Sequence, residues 1–192
     1  MVHLHVHSNF SFLDGASSVQ ALVDRAKAVG CSALAITDHN GLYGAVRFYD
    51  YARKSGIKPI VGAEMTVEGG YHLVLLAKDL RGYSNLCKII TRAHLSHQKG
   101  FAEASFEVLN QYRSNLFCLS GCRRGEVSAL HLQGKPDAAR AAAERYAEIF
   151  GRESFLIELQ NHLLPGSNLL NQQIAGLAGD LGLRTVATNN VH

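Results

Sequence analysis

Short apolar runs alternate with longer amphipathic stretches along the whole chain, and this order limits the folds that the sequence can adopt. A repeated order of strand and helix is typical of a parallel sheet with crossover helices. Seven predicted strands, without the glycine fingerprint of a doubly wound nucleotide-binding fold, favour a closed or nearly closed barrel. We therefore predict an α/β fold, a seven-stranded (β/α)7 barrel formed by one domain.

The predicted elements follow from apolar periodicity and from capping residues. Ser17 or Ser18 can cap the first helix, and Gly30 can end it. Residues 98–114 are predicted to form a loop with a short helix. The predicted strands are 2–6, 33–37, 59–65, 72–77, 116–119, 155–159 and 185–188, and the predicted helices are 19–29, 45–55, 83–97, 138–150 and 169–181.

Composition sets only broad limits on function. The chain is 47% hydrophobic and 18% charged, as in ordinary globular proteins. It has neither an apolar run of the roughly 18 residues that a membrane span needs nor the pattern of a signal peptide, so we expect a cytoplasmic location and no membrane partner. A net charge of +3 is too small to establish a nucleic-acid partner. The four cysteines form no CxxC pair, which favours buried apolar residues or, in one case, a metal ligand.

Three histidines alternate with apolar residues at the start of the chain, where residues 2–7 read VHLHVH. Because side chains alternate across a strand, the three imidazoles are predicted to share one face. The apolar face, Val2, Leu4 and Val6, is expected to pack beneath helices while the histidine face looks into the barrel. A single histidine is often structural, but three on one face of a strand indicate metal binding.

Further polar motifs follow other predicted strands, at the ends that form the catalytic face of barrels with this topology. Residues 37–40 read TDHN, 119–122 read LSGC and 190–192 read NVH. Glu64 lies late in an apolar strand, where burying a carboxylate is costly unless it is paired or binds a metal. Imidazole, thiolate and carboxylate together suit zinc, or zinc mixed with manganese or iron. The residues at these strand ends are His5, His7, His39, Glu64, Cys122 and His192.

These motifs resemble the successive motifs of the polymerase-and-histidinol-phosphatase (PHP) domain, namely HVH at 5–7, ITDH at 36–39, GAE at 62–64 and LSGC at 119–122. Residues 3–15, HLHVHSNFSFLDG, resemble the N-terminus of the alpha subunit of bacterial DNA polymerase III and its error-prone relatives. The resemblance covers essentially the whole chain. It implies a distorted seven-stranded barrel, and that residues 1–192 form the N-terminal part of a longer polymerase polypeptide.

The resemblance also implies metal ligands at matching positions. Glu64 would bridge metals, and Cys122 would replace a histidine of the phosphatase members. On or after the helix at 83–97 a further ligand is expected, with His94 as the candidate and His97 as the alternative. Two or three divalent ions, zinc or manganese with iron as an alternative, would be bound. The implied ligands are His5 and His7 for a first ion, Asp14 and His39 for a second, and Glu64, His94, Cys122, Asn190 and His192.

One position departs from the family pattern. The last strand of the family ends in an aspartate, one residue and a histidine, whereas this chain has Asn190 before Val191 and His192. Asparagine oxygen is neutral and cannot supply the charge of a carboxylate. Asn190 therefore puts one metal position, or the catalytic competence of the cluster, in doubt.

The sequence leaves three functions open. The leading hypothesis is metal-assisted phosphoester hydrolysis at a DNA 3′ end by a proofreading-type exonuclease, with His39 or Asp38 assisting proton transfer. The alternatives are a catalytically weak structural module of the polymerase and a free phosphatase for a small phosphate monoester. An amidohydrolase would need a lysine on the fourth strand, which residues 74–77 lack. His72, which opens that strand, is expected to be structural and to lie at the end opposite the site.

Overall fold

The computed structural model of the chain describes residues 2–192 and contains one seven-stranded sheet, with neighbouring strands in sequence order. Among the helices of this part of the chain, none is long and apolar enough to cross a membrane. The strands are β1 (Val2–His3), β2 (Ala33–Ile36), β3 (Lys58–Val67), β4 (Tyr71–Ala77), β5 (Leu116–Leu119), β6 (Phe155–Gln160) and β7 (Arg184–Thr188). The helices are α1 (Val19–Ala28), α2 (Ala45–Lys54), α3 (Leu80–Leu95), α4 (Phe106–Tyr112), α5 (Glu126–Leu132), α6 (Pro136–Phe150) and α7 (Ser167–Asp180).

The sheet closes on itself where the chain just after β1 meets the chain just after β7. Val6 and Val191 form a single parallel bridge. The backbone N–H of His7 donates to the carbonyl of Val191 at 2.8 Å, and that of Val191 donates to the carbonyl of His5 at 3.0 Å. The predicted nearly closed seven-stranded barrel is confirmed. Its closure also brings the N-terminal histidines beside the end of the chain.

The expectation of an all-parallel sheet is wrong at β4. This strand pairs antiparallel with both β3 and β5, while the other neighbours are parallel. Only Glu68, Gly69 and Gly70 connect β3 to β4, which is too short for a crossover and therefore forces a hairpin. Both glycines have positive φ, 84° and 74°, a conformation that turn glycines adopt readily.

The predicted alternation along β1 fails at Leu4. Regular pairing ends at His3, so a strict two-residue alternation does not continue through the following residues. Val6 packs beneath α1 and α2 as expected, with Val23 and Phe48 among its cluster. Leu4 instead packs inside the barrel against the cluster that contains Ala35. The chain therefore places an apolar residue in the barrel interior directly before His5.

The barrel interior has two halves. Its lower half, near the starts of the parallel strands, is an apolar cluster. Side chains two positions further along the same strands are polar: Glu64 follows Ile60 and Gly62 on β3, and Glu158 follows Leu156 on β6. The alternate side chains of β3 to β6 belong to the large core beneath the helices. The lower cluster comprises Ala35, Val74, Leu76 and Leu119, with Leu4, Ile60, Leu156 and Val186 packed against it.

Candidate metal centre

Glu64 lies at the middle of the polar upper half of the barrel and is only 1% exposed. Its Oε2 lies 2.8 Å from Nε2 of His5, and its Oε1 lies 2.8 Å from Nδ1 of His39. Oε1 also lies 2.6 Å from Nδ1 of His72. Burial acts to raise the pKa of Glu64, but the close contacts with the three imidazoles outweigh it and hold that pKa far below its usual range. Glu64 is thus an ionised carboxylate shared by three histidines, and its role as a bridging ligand stays a prediction.

His5 is fully buried between two carboxylates. Its Nε2 faces Glu64, and its Nδ1 lies 2.8 Å from Oε1 of Glu158. Burial alone would lower the pKa of His5, but the charges and hydrogen bonds of Glu158 and Glu64 raise it to about 9. In the absence of metal the imidazole therefore carries protons on both nitrogens.

His7 presents the opposite environment. Nδ1 of His7 lies 3.1 Å from Oγ of Ser11, while Nε2 is buried and has no hydrogen-bond partner among residues 2–192. Burial lowers the pKa of His7 to about 3, so the imidazole is neutral. Its ring stacks on that of His192 at a centroid distance of 4.5 Å and lies 4.4 Å from that of His39. A buried neutral nitrogen without a partner is the kind of donor that a metal ion would satisfy.

The loop between β1 and α1 brings Asp14 to the mouth of the barrel. Oδ2 of Asp14 lies 2.6 Å from Nε2 of His39 and 3.2 Å from Nδ1 of His192. The hydrogen bond from His39 lowers the pKa of Asp14, although partial burial opposes this. The pKa of His39 is raised, mainly by its close contact with the Glu64 carboxylate. These contacts join the loop to the ends of β2 and β7.

Asp38 anchors this loop. The carboxylate accepts hydrogen bonds from the backbone N–H of Ser8 at 2.7 Å, from Oγ of Ser8 at 2.8 Å and from Oγ of Ser11 at 2.6 Å. The side chain is 2% exposed. Three donors on a buried carboxylate fix the position of Ser11, which in turn contacts His7.

Four predicted ligands lie outside the closest groups of ligand atoms, and one of them, His192, contacts Asp14 as described above. Nε2 of His94 donates to the carbonyl of Asn40 at 2.8 Å, one residue after His39. Sγ of Cys122 lies 3.9 Å from Nδ1 of His72, and burial raises the pKa of the Cys122 thiol to about 12. Oδ1 of Asn190 is buried and, within residues 2–192, has no hydrogen-bond partner. The role of all four as ligands stays a prediction.

Sequence reasoning missed two residues of this centre. His72 was expected at the opposite end of the barrel; that placement is wrong because β4 runs antiparallel and begins at the catalytic face. The Gly69-Gly70 pair between two strands was the available signal for a hairpin. Glu158 is a carboxylate within the apolar strand β6, and the argument applied to Glu64 would have found it.

The donor set fits divalent metal ions. Nitrogen and carboxylate oxygen atoms of this kind are ordinary ligands of zinc and manganese. Within residues 2–192, three overlapping groups each bring three such atoms within 4.8 Å of one another. These groups are His5, His7 and Glu64; His7, Asp14 and His39; and His39, Glu64 and His72.

Solved structures share the fold. One is a protein from Bifidobacterium adolescentis assigned as a metal-dependent phosphoesterase, with a TM-score of 0.62 and 13% identity, covering 100% of this chain and 87% of that one. Another is an amidohydrolase from Chromobacterium violaceum, with a TM-score of 0.62, 19% identity and the same coverage. At these identities the likeness concerns the fold alone.

Protein relatives are much longer than this chain. It is 47% identical to the error-prone DNA polymerase of Symbiobacterium thermophilum, over 100% of this chain and 19% of that protein. It is 41% identical to DNA polymerase III subunit alpha of Thermus aquaticus, over 99% of this chain and 17% of that protein. The chain therefore spans less than a fifth of the length of these relatives. The PHP domain model matches residues 3–162, so the chain belongs to the PHP domain family.

Proposed function

We propose that this domain is a metal-dependent phosphoester hydrolase within a DNA polymerase polypeptide, acting at a DNA 3′ end. The observation that carries the proposal is the convergence of three imidazoles on one buried carboxylate, Glu64, which belongs to two of the three ligand groups. Exclusion of water from such a site strengthens its electrostatic interactions with a phosphate. The names of the relatives support the polymerase context and, through it, DNA as the substrate class.

The residues divide into those that hold metal and those that hold the ligands in place. Bound divalent ions would supply Lewis acidity, lowering the pKa of water and neutralising phosphate charge. Ser11 and Asp38 hold the loop that carries Asp14. The proposed ligands are His5, His7, Asp14, His39 and Glu64, with His94, Cys122, Asn190 and His192 completing a cluster of two or three ions.

His39 is the better of the two candidates for proton transfer. Its side chain is 29% exposed, so Nε2 can exchange a proton with a group at the mouth of the barrel. Asp38 is buried and its oxygens already accept three hydrogen bonds. Asp38 therefore orients the loop, while His39 holds or moves the proton beside Asp14.

The test is degradation of a DNA strand labelled at its 3′ end, with manganese or zinc and with a chelator control. Release of labelled nucleotide that the chelator abolishes is expected. A matched assay with p-nitrophenyl phosphate separates a DNA-directed activity from that of a free phosphatase. Metal-loaded protein that cleaves neither substrate would contradict the proposal.

Asn190 favours a second candidate function, a structural module of the polymerase in which metals serve stability. A neutral oxygen at this position weakens the ligand set without removing it. In this case removal of metal lowers the melting temperature, while the loaded protein shows no hydrolysis. The same two measurements therefore distinguish the two candidates.

A further inference from the structure

A second carboxylate lies inside the barrel, on the strand opposite Glu64. Glu158 is 1% exposed and sits in β6, between Ile157 and Leu159. A buried ionised carboxylate is costly unless hydrogen bonds or charges compensate it. Glu158 lies outside the three ligand groups described above for residues 2–192. Its position therefore needs an explanation other than membership of the metal cluster.

The contacts of Glu158 fix one of its oxygens. Oε1 accepts from Nδ1 of His5 at 2.8 Å and from Nε2 of Gln160 at 2.8 Å, and Oγ1 of Thr188 also donates to it. The backbone N–H of Glu158 donates to Oγ of Ser120 at 2.9 Å. Residues from β6, from the end of β5 and from β7 thus hold this carboxylate against His5.

The second oxygen, Oε2, is buried and has no hydrogen-bond partner in the described part of the chain, residues 2–192. The compensation of the Glu158 charge is therefore concentrated at Oε1, where His5 is the one titratable donor among its three partners. This arrangement links the carboxylate tightly to a single imidazole.

We propose that Glu158 is a positioning residue that prepares His5 for metal binding. Coordination through Nε2 requires that nitrogen to be unprotonated, so the remaining proton of a neutral imidazole must be on Nδ1. Nδ1 is the nitrogen that faces Glu158, whereas Nε2 faces Glu64. Glu158 thereby fixes both the tautomer and the orientation of the ring, as carboxylates behind metal-binding histidines do. This inference rests on the proposed metal centre.

Glu158→Gln tests the proposal, because glutamine keeps the size of the side chain and removes its charge. We expect the affinity of the 192-residue chain for Zn²⁺, measured by competition with a chromophoric chelator, to fall about 10- to 100-fold. Glu153→Gln is the matched control: its carboxylate precedes the same strand and is 92% exposed. The control should bind Zn²⁺ as the wild type does.

A spectroscopic readout separates positioning from a merely structural role. In the Zn²⁺-loaded wild type, ¹⁵N NMR of the His5 ring should show the proton on Nδ1 alone. In Glu158→Gln at saturating Zn²⁺, the His5 signals should broaden or divide between ring states. Circular dichroism of the metal-free forms should remain the same.

A second variant tests the same proposal if Glu158→Gln does not fold. Gln160→Leu removes one donor to Oε1 at a half-buried position, and its Zn²⁺ affinity should fall in the same direction by less. Unchanged affinity in whichever variant folds, beside a wild type that binds Zn²⁺, would overturn the role of Glu158 and leave the metal centre standing. A wild type that binds no metal would overturn both. Zn²⁺ binding that depends on Glu158 without any hydrolysis would refute the proposed function alone.

Discussion

The upper and lower halves of the barrel interior are built from the same strands but have different roles. In the lower half, Ile60, Leu156 and their neighbours form an apolar cluster. Further along the same strands, the inward-facing side chains include Glu64 and Glu158, which contact histidines in the upper half. Burial of apolar area stabilises the fold in the lower half, whereas burial of charge in the upper half costs stability unless partners compensate it. One barrel interior thus contains a lower level that stabilises the fold and an upper level that carries the polar site.

The largest effect on metal binding is expected from Glu64→Gln. Its carboxylate contacts His5, His39 and His72, so loss of the charge affects every group around it. We expect Zn²⁺ affinity to fall by more than the roughly 100-fold typical of residues behind the ligands. Calorimetric titration measures this, with Glu144→Gln on the exposed face of α6 as the control. A Zn²⁺ affinity of Glu64→Gln close to that of the wild type would contradict the assignment of metal binding to the upper half.

Leu76→Ala should produce the converse result. Leu76 is 4% exposed in the lower cluster, and truncation of a buried leucine costs about 2–5 kcal/mol of unfolding free energy. Denaturant unfolding of the metal-free protein measures the loss, and titration at low temperature should find the Zn²⁺ affinity of the folded protein unchanged. Leu80→Ala, at a side chain that is 81% exposed, should change stability by no more than about 0.5 kcal/mol.

His72→Ala should weaken metal binding by about tenfold, less than Glu64→Gln does. Nδ1 of His72 is 2.6 Å from Oε1 of Glu64 and beside Sγ of Cys122, so the substitution removes one of three partners of the central carboxylate. Zn²⁺ competition measures the change, and His131→Ala on α5 serves as the control. Equal affinities of His72→Ala and the wild type would show that β4 contributes only to the fold.

Asn190→Asp should have the smallest effect, and in the opposite direction. Aspartate is nearly the size of asparagine and also tolerates the positive φ of 46° found here. The added carboxylate should tighten the weakest metal site severalfold and raise any phosphoesterase activity, because divalent ions prefer a charged oxygen. Metal titration and DNA hydrolysis on both forms measure this, with the exposed neighbour in Asn189→Asp as the control. If both quantities stay unchanged, Asn190 does not face the cluster.

Most of the barrel could be predicted because apolar periodicity is a local signal. The helix predicted from Ala45 and the strand that ends at Leu119 agree with the structure. Strand direction depends instead on the length of the connection. Because the turn at Gly69 and Gly70 is short, β4 runs antiparallel to β3, and His72 lies at the site rather than at the predicted opposite end. Leu4 was misplaced because regular pairing stops one residue earlier.

The convergence of polar side chains could be predicted where one motif carried its own signal, but not where residues of two distant strands had to be combined. His5 and His39 follow recognisable strand ends, and the structure brings both to Glu64. The contact between Glu158 and His5 joins residues 153 positions apart, and no local pattern encodes such a pairing. Buried carboxylates in apolar strands are the transferable signal for residues of this kind.

The measurement that tests the central claim most directly is the metal content of the protein purified without chelators, beside that of Glu64→Gln. Elemental analysis should find two or three divalent ions per wild-type chain and clearly fewer in the variant, since Glu64 joins two of the three ligand groups. Fewer than one ion per wild-type chain, or equal contents in the two proteins, would contradict a metal centre built around Glu64.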